Sequence, residues 1–396
     1  MIILVINSGS SSLKYQVFDM QNETLLAKGL VERIGLNGSL LTHRPSGKNP
    51  VVMETDIPNH DTAIQMTVDA LTHEEYGVIK SLKEIDAVGH RVAHGGDKFP
   101  DSAIINEKAL ADIRPLFEVA PLHNPPAVMG IEACQHMLPG VPQVAVFDTA
   151  FHQSIPEHAY MYALPYDLAK KYSLRRYGFH GTSHKYVAQR AADMLDRPLE
   201  ELKIITCHLG NGASIAAVFH GNSIDTSMGF TPLEGLVMGT RVGDMDPAVV
   251  PFIMEKENMT PAQVSDFMNK KCGVLGVSGV SSDFRDLEEG AGQGNEQCRL
   301  ALDMFAYRVK KYIGAYAAVM NGVDAIVFTA GLGENSSSMR KTVCNGLEYL
   351  GVRLDEQKNK GRGEADVSLP GAACHVMVIP TNEELMIARD TFRLAK

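Results

Sequence analysis

Two short segments of the chain are rich in hydrogen-bond donors: N-S-G-S-S-S-L-K, Asn7 to Lys14, and H-L-G-N-G-A-S, His208 to Ser214. A tight turn aims successive backbone N–H groups into one concavity that binds anions. In the first segment Asn7, Ser10, Ser12 and Lys14 add an amide, two hydroxyls and an ammonium. Taken alone it is equally a Ser/Gly hairpin turn. A second such tip, with Gly210, Asn211 and Gly212 at its centre, favours two clamps on one polyphosphate. A third glycine-rich stretch, F-T-A-G-L-G-E-N from Phe328 to Asn335, carries Gly331 and Gly333. Glycines there let backbone approach a nucleotide closely, although an ordinary strand-to-helix turn reads the same way. No G-x-x-x-x-G-K-[ST] stretch is present, which argues against a P-loop nucleotide site.

Charged side chains elsewhere in the chain add candidates for the same chemistry. Arg91 in G-H-R and Arg241 in G-T-R carry guanidinium forks that match planar oxyanions, whereas an isolated arginine is usually a solvated charge or half of an ion pair. Asp148 ends an apolar run, a common place for a catalytic carboxylate in an α/β sheet and also for a turn or cap aspartate. Glu384 follows Thr381 by three residues, the spacing of a helix capping box. His180 and His184 are four apart, but Gly181 and the missing glutamate argue against a zinc helix.

The elements that must position these groups follow from pattern. Ile2 to Ile6 and Leu13 to Phe18 read as a hairpin around the first loop, and Lys203 to Cys207 with Ser214 to Phe219 as a second around the other. Superposing Gly9 on Gly210 also pairs Val17 with Val218 and Phe18 with Phe219, which suggests duplication. Further strands are expected at Ile85 to Gly89, Gln143 to Asp148, Ala325 to Thr329 and His375 to Ile379. Helices are expected at Asp61 to His73, Pro125 to His136, Thr260 to Lys270, Glu296 to Met320 and from Asn382 to about Phe392, with one beginning near Asn335. Thr260-Pro261 with Gln263 is a capping-box start, and Asn321-Gly322 a helix stop.

With 396 residues the chain exceeds the size at which one core keeps growing, so two domains and a cleft between them are expected. A net charge of −10 argues against a broad nucleic-acid face without forbidding a local arginine cluster for phosphate. Six scattered cysteines, with no C-x-x-C pair, read as reduced thiols. The apolar start is too short for a signal peptide and no segment suits a membrane helix, so a cytoplasmic protein is expected.

The motifs together resemble those of acetate kinases and the close propionate kinases. They are Asn7 to Lys14, G-H-R-V-A-H-G-G (Gly89 to Gly96), A-P-L-H-N-P (Ala120 to Pro125), V-F-D-T-A-F-H (Val146 to His152) and R-R-Y-G-F-H-G-T-S-H (Arg175 to His184). They continue with His208 to Ser214, the long stretch from Asp225 to Asp244, and P-T-N-E-E (Pro380 to Glu384). The resemblance spans essentially the whole chain. It implies two duplicated actin-like, ribonuclease H-like ATPase domains of α/β class, with mixed sheets flanked by helices and an interdomain cleft. The first would be residues 1–150 completed by 385–396, the second, nucleotide-binding domain 151–384.

The same resemblance implies a homodimer, ATP or ADP as co-substrate, and Mg²⁺, with Mn²⁺ as a substitute. It assigns Asp148, Arg91, His180 and Arg241 to catalysis, and Asn7 and Glu384 to the metal. Nucleotide contacts fall to His208, Gly210, Asn211, Gly212, Asp283, Phe284, Arg285, Gly331, Gly333 and Asn335 beside the first loop. The acyl group would meet Arg91, Ala93, Leu122, Phe179 and Pro232. Acetate kinases often carry valine at the place of Ala93, which keeps propionate as the alternative acceptor. A non-kinase ATPase module of the same fold would share the phosphate loops and lack the need for Arg91, His180 and Arg241.

Overall fold

A computed structural model describes all residues, Met1–Lys396. The chain divides into two compact units, Met1–Phe151 with Asn382–Lys396, and His152–Thr381.

In the first unit β1 (Ile2–Ser8), β2 (Ser12–Asp19), β3 (Thr24–Glu32), β4 (Leu40–Pro45) and β5 (Val51–Glu54) form an antiparallel meander. On the other side of β1 lie β6 (Ile85–Val92) and β8 (Gln143–Phe147), both parallel to it, and the short β7 (Ala103–Ile104) closes the edge. β1 and β8 are apolar along nearly their whole length because helices cover both faces of the sheet centre. Helices His60–Thr72 and Asn124–Met137 pack together on one side, and the C-terminal helix Glu383–Leu394 packs on β6, β1 and β8.

The second unit repeats the plan. β9 (Lys203–Leu209), β10 (Ala213–Phe219) and β11 (Asn222–Thr226) are an antiparallel meander, and β12 (Ala325–Thr329) and β14 (His375–Val378) continue parallel to β9, with β13 (Ala365–Asp366) at the edge. Both sheets therefore place the meander's first strand beside two parallel strands, in the same relative order. Helix Gly181–Leu195 packs on β9 and the long helix Glu296–Val319 on β10 and β9, around a core that includes Phe305, Phe328 and Ile313.

Several expectations change in detail. The two hairpins share topology but not the single offset read from sequence: Ser8 pairs with Leu13 around a four-residue tip, Leu209 with Ala213 around a three-residue one. The structural counterpart of Val17 is consequently Ala217 rather than Val218. β6 does not stop at Gly89 but runs to Val92. That glycine is required by packing, since a Cβ there would lie 2.3 Å from Thr391 Oγ1 and 2.7 Å from Ile387 Cγ2 on the C-terminal helix. The third glycine-rich stretch is itself helical over Ala330–Asn335, and a second helix starts at Ser337. The Thr260/Gln263 capping box forms as expected, and Asn321 and Gly322 both take positive φ just beyond the long helix.

Candidate active site

In the first unit the donor-rich loop is the β1–β2 tip. Gly9 N–H donates to Ser12 O at 2.8 Å, and the tip is tied down by His60, whose Nε2–H donates to Gly9 O at 2.8 Å. Sequence reading passed over His60, because its role depends on helix His60–Thr72 returning to the loop. Asn7 and Lys14 face each other across the ladder just below the tip.

The extended β6 carries Arg91 beside the end of β8. Arg91 Nε donates to Asp148 Oδ1 at 3.2 Å and Nη2 to Asp148 Oδ2 at 2.6 Å, a two-pronged pair in which Asp148 is 2% and Arg91 26% exposed. Asp148 holds the guanidinium firmly in its charged form, aided by Glu383 and Glu384. Two of five guanidinium N–H groups are thus used, leaving three for an oxyanion.

The capping reading of Glu384 fails. The C-terminal helix is capped by Asn382, whose Oδ1 accepts from Leu385 N at 3.1 Å, so Thr381 lies outside it and Glu384 stands in the first turn without a capping duty. Glu383, which sequence reading did not single out, lies among the same charges. Burial, with Asp148 and Glu384 nearby, pushes its carboxyl up to about 7 despite Arg91 and Lys14. Three carboxylates against two cations is a local excess of negative charge. No three His, Cys, Asp or Glu side chains converge as a ready metal cage. Mg²⁺ characteristically takes one or two carboxylates and leaves its remaining positions to water and substrate phosphate, so this donor set suits it.

Other residues of the resembling motifs are tied into the unit by hydrogen bonds. His90 Nε2–H donates to Gln143 Oε1, and Asn124 makes a reciprocal pair with the backbone of His94. Ala93 is buried just beyond β6, whereas Leu122 is 65% exposed.

In the second unit the β9–β10 tip, Gly210 to Gly212, is held by Gly239, whose N–H donates to Asn211 O at 2.9 Å. A side chain at Gly239 would collide with Asn211 Oδ1. Beside Gly212 lie Arg241 Nη1, His180 Cε1 and His180 Nε2, at 3.5, 3.6 and 3.7 Å from where a Cβ would stand. Three predicted residues therefore meet at one point. Arg241 donates to Pro232 O at 3.3 Å and has no carboxylate within ion-pair distance; burial pulls its guanidinium below the usual arginine range. It is a cation without a protein counter-ion, the opposite of Arg91.

His180 begins helix Gly181–Leu195 in a left-handed conformation, φ +56°. Its ring stacks on His208 with centroids 4.1 Å apart, and His208 Nδ1 is bonded to Ser183 Oγ, so His208 supports the loop from below. Phe179 is buried and its carbonyl accepts from His152 Nε2–H.

The nucleotide residues divide. Asp283 caps helix Phe284–Gly292 and pairs with Arg285 at 2.6 Å, which draws its carboxyl down to about 2. Both are at the surface, but the Phe284 side chain is turned into the core, edge to face with Phe305, so only its backbone is available to a ligand. Around Gly331 a Cβ would meet nothing within 4 Å, while Asn335 Nδ2 donates to Gly331 O at 2.8 Å. Fully buried Arg340, unremarked in the sequence, anchors this turn through Gly333 O and Glu334 O.

Two units of one α/β plan, each with a donor-rich hairpin tip, carry one arginine paired to a buried carboxylate and one with no carboxylate partner. The chain belongs to the acetokinase family, whose profile matches residues 2–389. It is 80% identical to the acetate kinase of Heliobacterium modesticaldum over 396 residues, all of both chains. It is 65% identical over 392 residues to that of Desulfitobacterium hafniense, covering 99% of this chain and 98% of the relative. Among solved structures, Porphyromonas gingivalis acetate kinase superposes with a TM-score of 0.96 at 50% identity over all of both chains. A propionate kinase from Francisella tularensis superposes at 0.92 and 41% identity, covering 99% of each.

Proposed function

We propose that this chain is an acetate kinase, transferring the γ-phosphoryl group of ATP to acetate to give acetyl phosphate and ADP, and running in reverse when acetyl phosphate is supplied. The observation that carries this reading is the end-to-end match to proteins of that name at up to 80% identity. Acetate is ionised at neutral pH, so its oxygen attacks phosphorus without a general base. The protein must align the reactants and neutralise charge on the equatorial oxygens. Arg91, held by Asp148, offers its remaining donors to the carboxylate. Arg241 and His180, side by side at Gly212, serve the phosphoryl group in flight. The β1–β2 and β9–β10 tips hold phosphates, with Asp283, the Phe284 backbone, Arg285, Gly331, Gly333 and Asn335 about the nucleoside. Incubation with ATP and hydroxylamine tests the activity: acetyl hydroxamate is expected, and its absence with acetate, propionate and butyrate alike sinks the reading.

Asn7, Glu384, Glu383 and Asp148 would hold Mg²⁺. When bound, the ion would offset charge on the phosphates. Because Asn382 rather than either glutamate caps the helix, Glu384→Gln should change stability by no more than about 0.5 kcal/mol. Its half-saturating Mg²⁺ concentration should rise about ten-fold, the low end of losing a ligand-sphere group. Asn382→Ala should do the reverse, losing roughly 0.5–2 kcal/mol. Melting curves and Mg²⁺ titrations check both, and an unchanged Mg²⁺ dependence in Glu383→Gln and Glu384→Gln removes the pair from the metal site.

Propionate is expected as a second acceptor, because Ala93 is two methyl groups smaller than the valine that acetate kinases often carry. A buried methylene is worth about 0.8 kcal/mol, and hydrophobic pockets discriminate one by about 1–3 kcal/mol. Ala93→Val should therefore lower kcat/KM for propionate relative to acetate by roughly ten-fold. An unchanged ratio would show that Ala93 does not line the acyl pocket.

Two further assignments complete the proposal. The chain works as a homodimer: Leu300, Met304 and Tyr307 form an exposed apolar stripe at helical spacing on Glu296–Val319. Sedimentation at the mass of one chain would exclude this. A cytoplasmic location fits six unpaired cysteines and the lack of any helix long and apolar enough to cross a membrane. Fractionation of the source cells tests it.

A further inference from the structure

Beneath His180 the second unit buries a row of alternating hydroxyls and imidazoles. Thr206 Oγ1 lies 2.7 Å from His184 Nδ1; His184 Nε2 lies 2.7 Å from Ser214 Oγ; Ser214 Oγ lies 2.9 Å from His180 Nδ1. Thr206, His184 and Ser214 are all fully buried. Each neutral imidazole carries one N–H and one lone pair, and each hydroxyl has one proton to give, so the protons in such a row must all point the same way.

Only one direction satisfies every buried donor. If His184 Nδ1–H donated to Thr206, the Thr206 hydroxyl proton would have no acceptor, because His184 is its sole hydrogen-bond partner. A buried donor left unpaired costs a full desolvation penalty, whereas an oxygen with an unused lone pair is tolerated. Thr206 therefore donates to His184 Nδ1, His184 Nε2–H donates to Ser214 Oγ, and the Ser214 hydroxyl donates to His180 Nδ1. Burial keeps His184 neutral, well below the ordinary histidine range, as this requires.

We propose that Thr206, His184 and Ser214 are positioning residues that fix His180 as the neutral Nε2–H tautomer, with that N–H at the edge facing Gly212 and Arg241. The opposite tautomer would turn a lone pair toward phosphoryl oxygens and repel them. His152 secures the backbone in the same sense: its Nε2–H donates to Phe179 O at 3.0 Å, and its Nδ1 is left to accept from Ser223 Oγ at 2.8 Å. The left-handed φ of His180 is thus held from both the main chain and the ring.

This inference rests on the proposed role of His180 in phosphoryl transfer, and the two can fail separately. Two-bond ¹H–¹⁵N spectra of the full-length protein labelled at histidine, assigned with His180→Asn and His184→Gln, read each tautomer directly. Nε2–H is expected for both His180 and His184; Nδ1–H or a doubly protonated ring at either overturns the chain. Ser214→Ala should lower kcat about ten-fold with KM for ATP and acetate little changed, and Ser214→Thr should restore it. Unchanged kcat in a folded Ser214→Ala variant also overturns the inference. Undiminished turnover in His180→Ala would instead remove His180 from transfer, whatever its tautomer.

Discussion

Arg91→Ala is expected to lose about 10³-fold or more in turnover, by analogy with the arginines that stabilise other phosphoryl transfers, and to be markedly less stable as well. The second effect follows from the partner. Asp148 is 2% exposed and both its oxygens are bound by Arg91, so removing the guanidinium strands a buried carboxylate beside Glu383 and Glu384. Breaking a buried pair from one side costs about 3–5 kcal/mol. Adding Asp148→Asn should recover most of that stability, since the stranded charge is gone, and recover none of the activity. Denaturant melts of the single and double variants read the first effect, and hydroxamate formation the second. A wild-type melt for Arg91→Ala would contradict the pairing, and near-normal turnover would remove Arg91 from the mechanism.

Stability and the proposed role in transfer meet at Arg91 because of packing that pattern alone does not reveal. The sequence showed a strand near Ile85, but Gly89 read as its end. In the fold that glycine is where the C-terminal helix presses on β6, so the strand continues and carries Arg91 to Asp148. β12, a continuous apolar run buried on both faces, and Glu296–Val319, apolar at helical spacing, were legible almost to the residue, because burial writes itself into the pattern. Both hairpins were legible, but not their one-residue difference in loop length, since either tip satisfies the same glycine spacing.

The candidate residues were legible as motifs, but most of the contacts that hold them were not. Arg91, Asp148, His180 and Arg241 lie in distinctive segments, whereas His60, Glu383, Arg340 and Ser214 act through contacts made across the fold. The spacing Thr381 to Glu384 matched a capping box, yet the adjacent Asn382 is an equally good cap and took the position. Phe284 stands in one segment with the surface residues Asp283 and Arg285, but its own side chain is core.

Arg241→Ala should show the contrasting failure: turnover down by about 10³-fold with stability unchanged or slightly raised. Arg241 is half-buried, its charge disfavoured by burial, and no carboxylate compensates it. Removing it therefore strands nothing and relieves a desolvated cation, unlike Arg91→Ala. An anion supplies what the fold withholds, so inorganic phosphate should raise the melting temperature of the wild-type protein and do so less for Arg241→Ala. Arg241→Lys should recover only a small part of the lost turnover, because an ammonium is a point charge and cannot bridge two oxygens with a planar fork. Near-normal turnover in purified Arg241→Ala would take the residue out of phosphoryl transfer. Equal stabilisation of both proteins by phosphate would show that the anion is held elsewhere, and a large loss of stability would show that Arg241 is compensated within the fold after all.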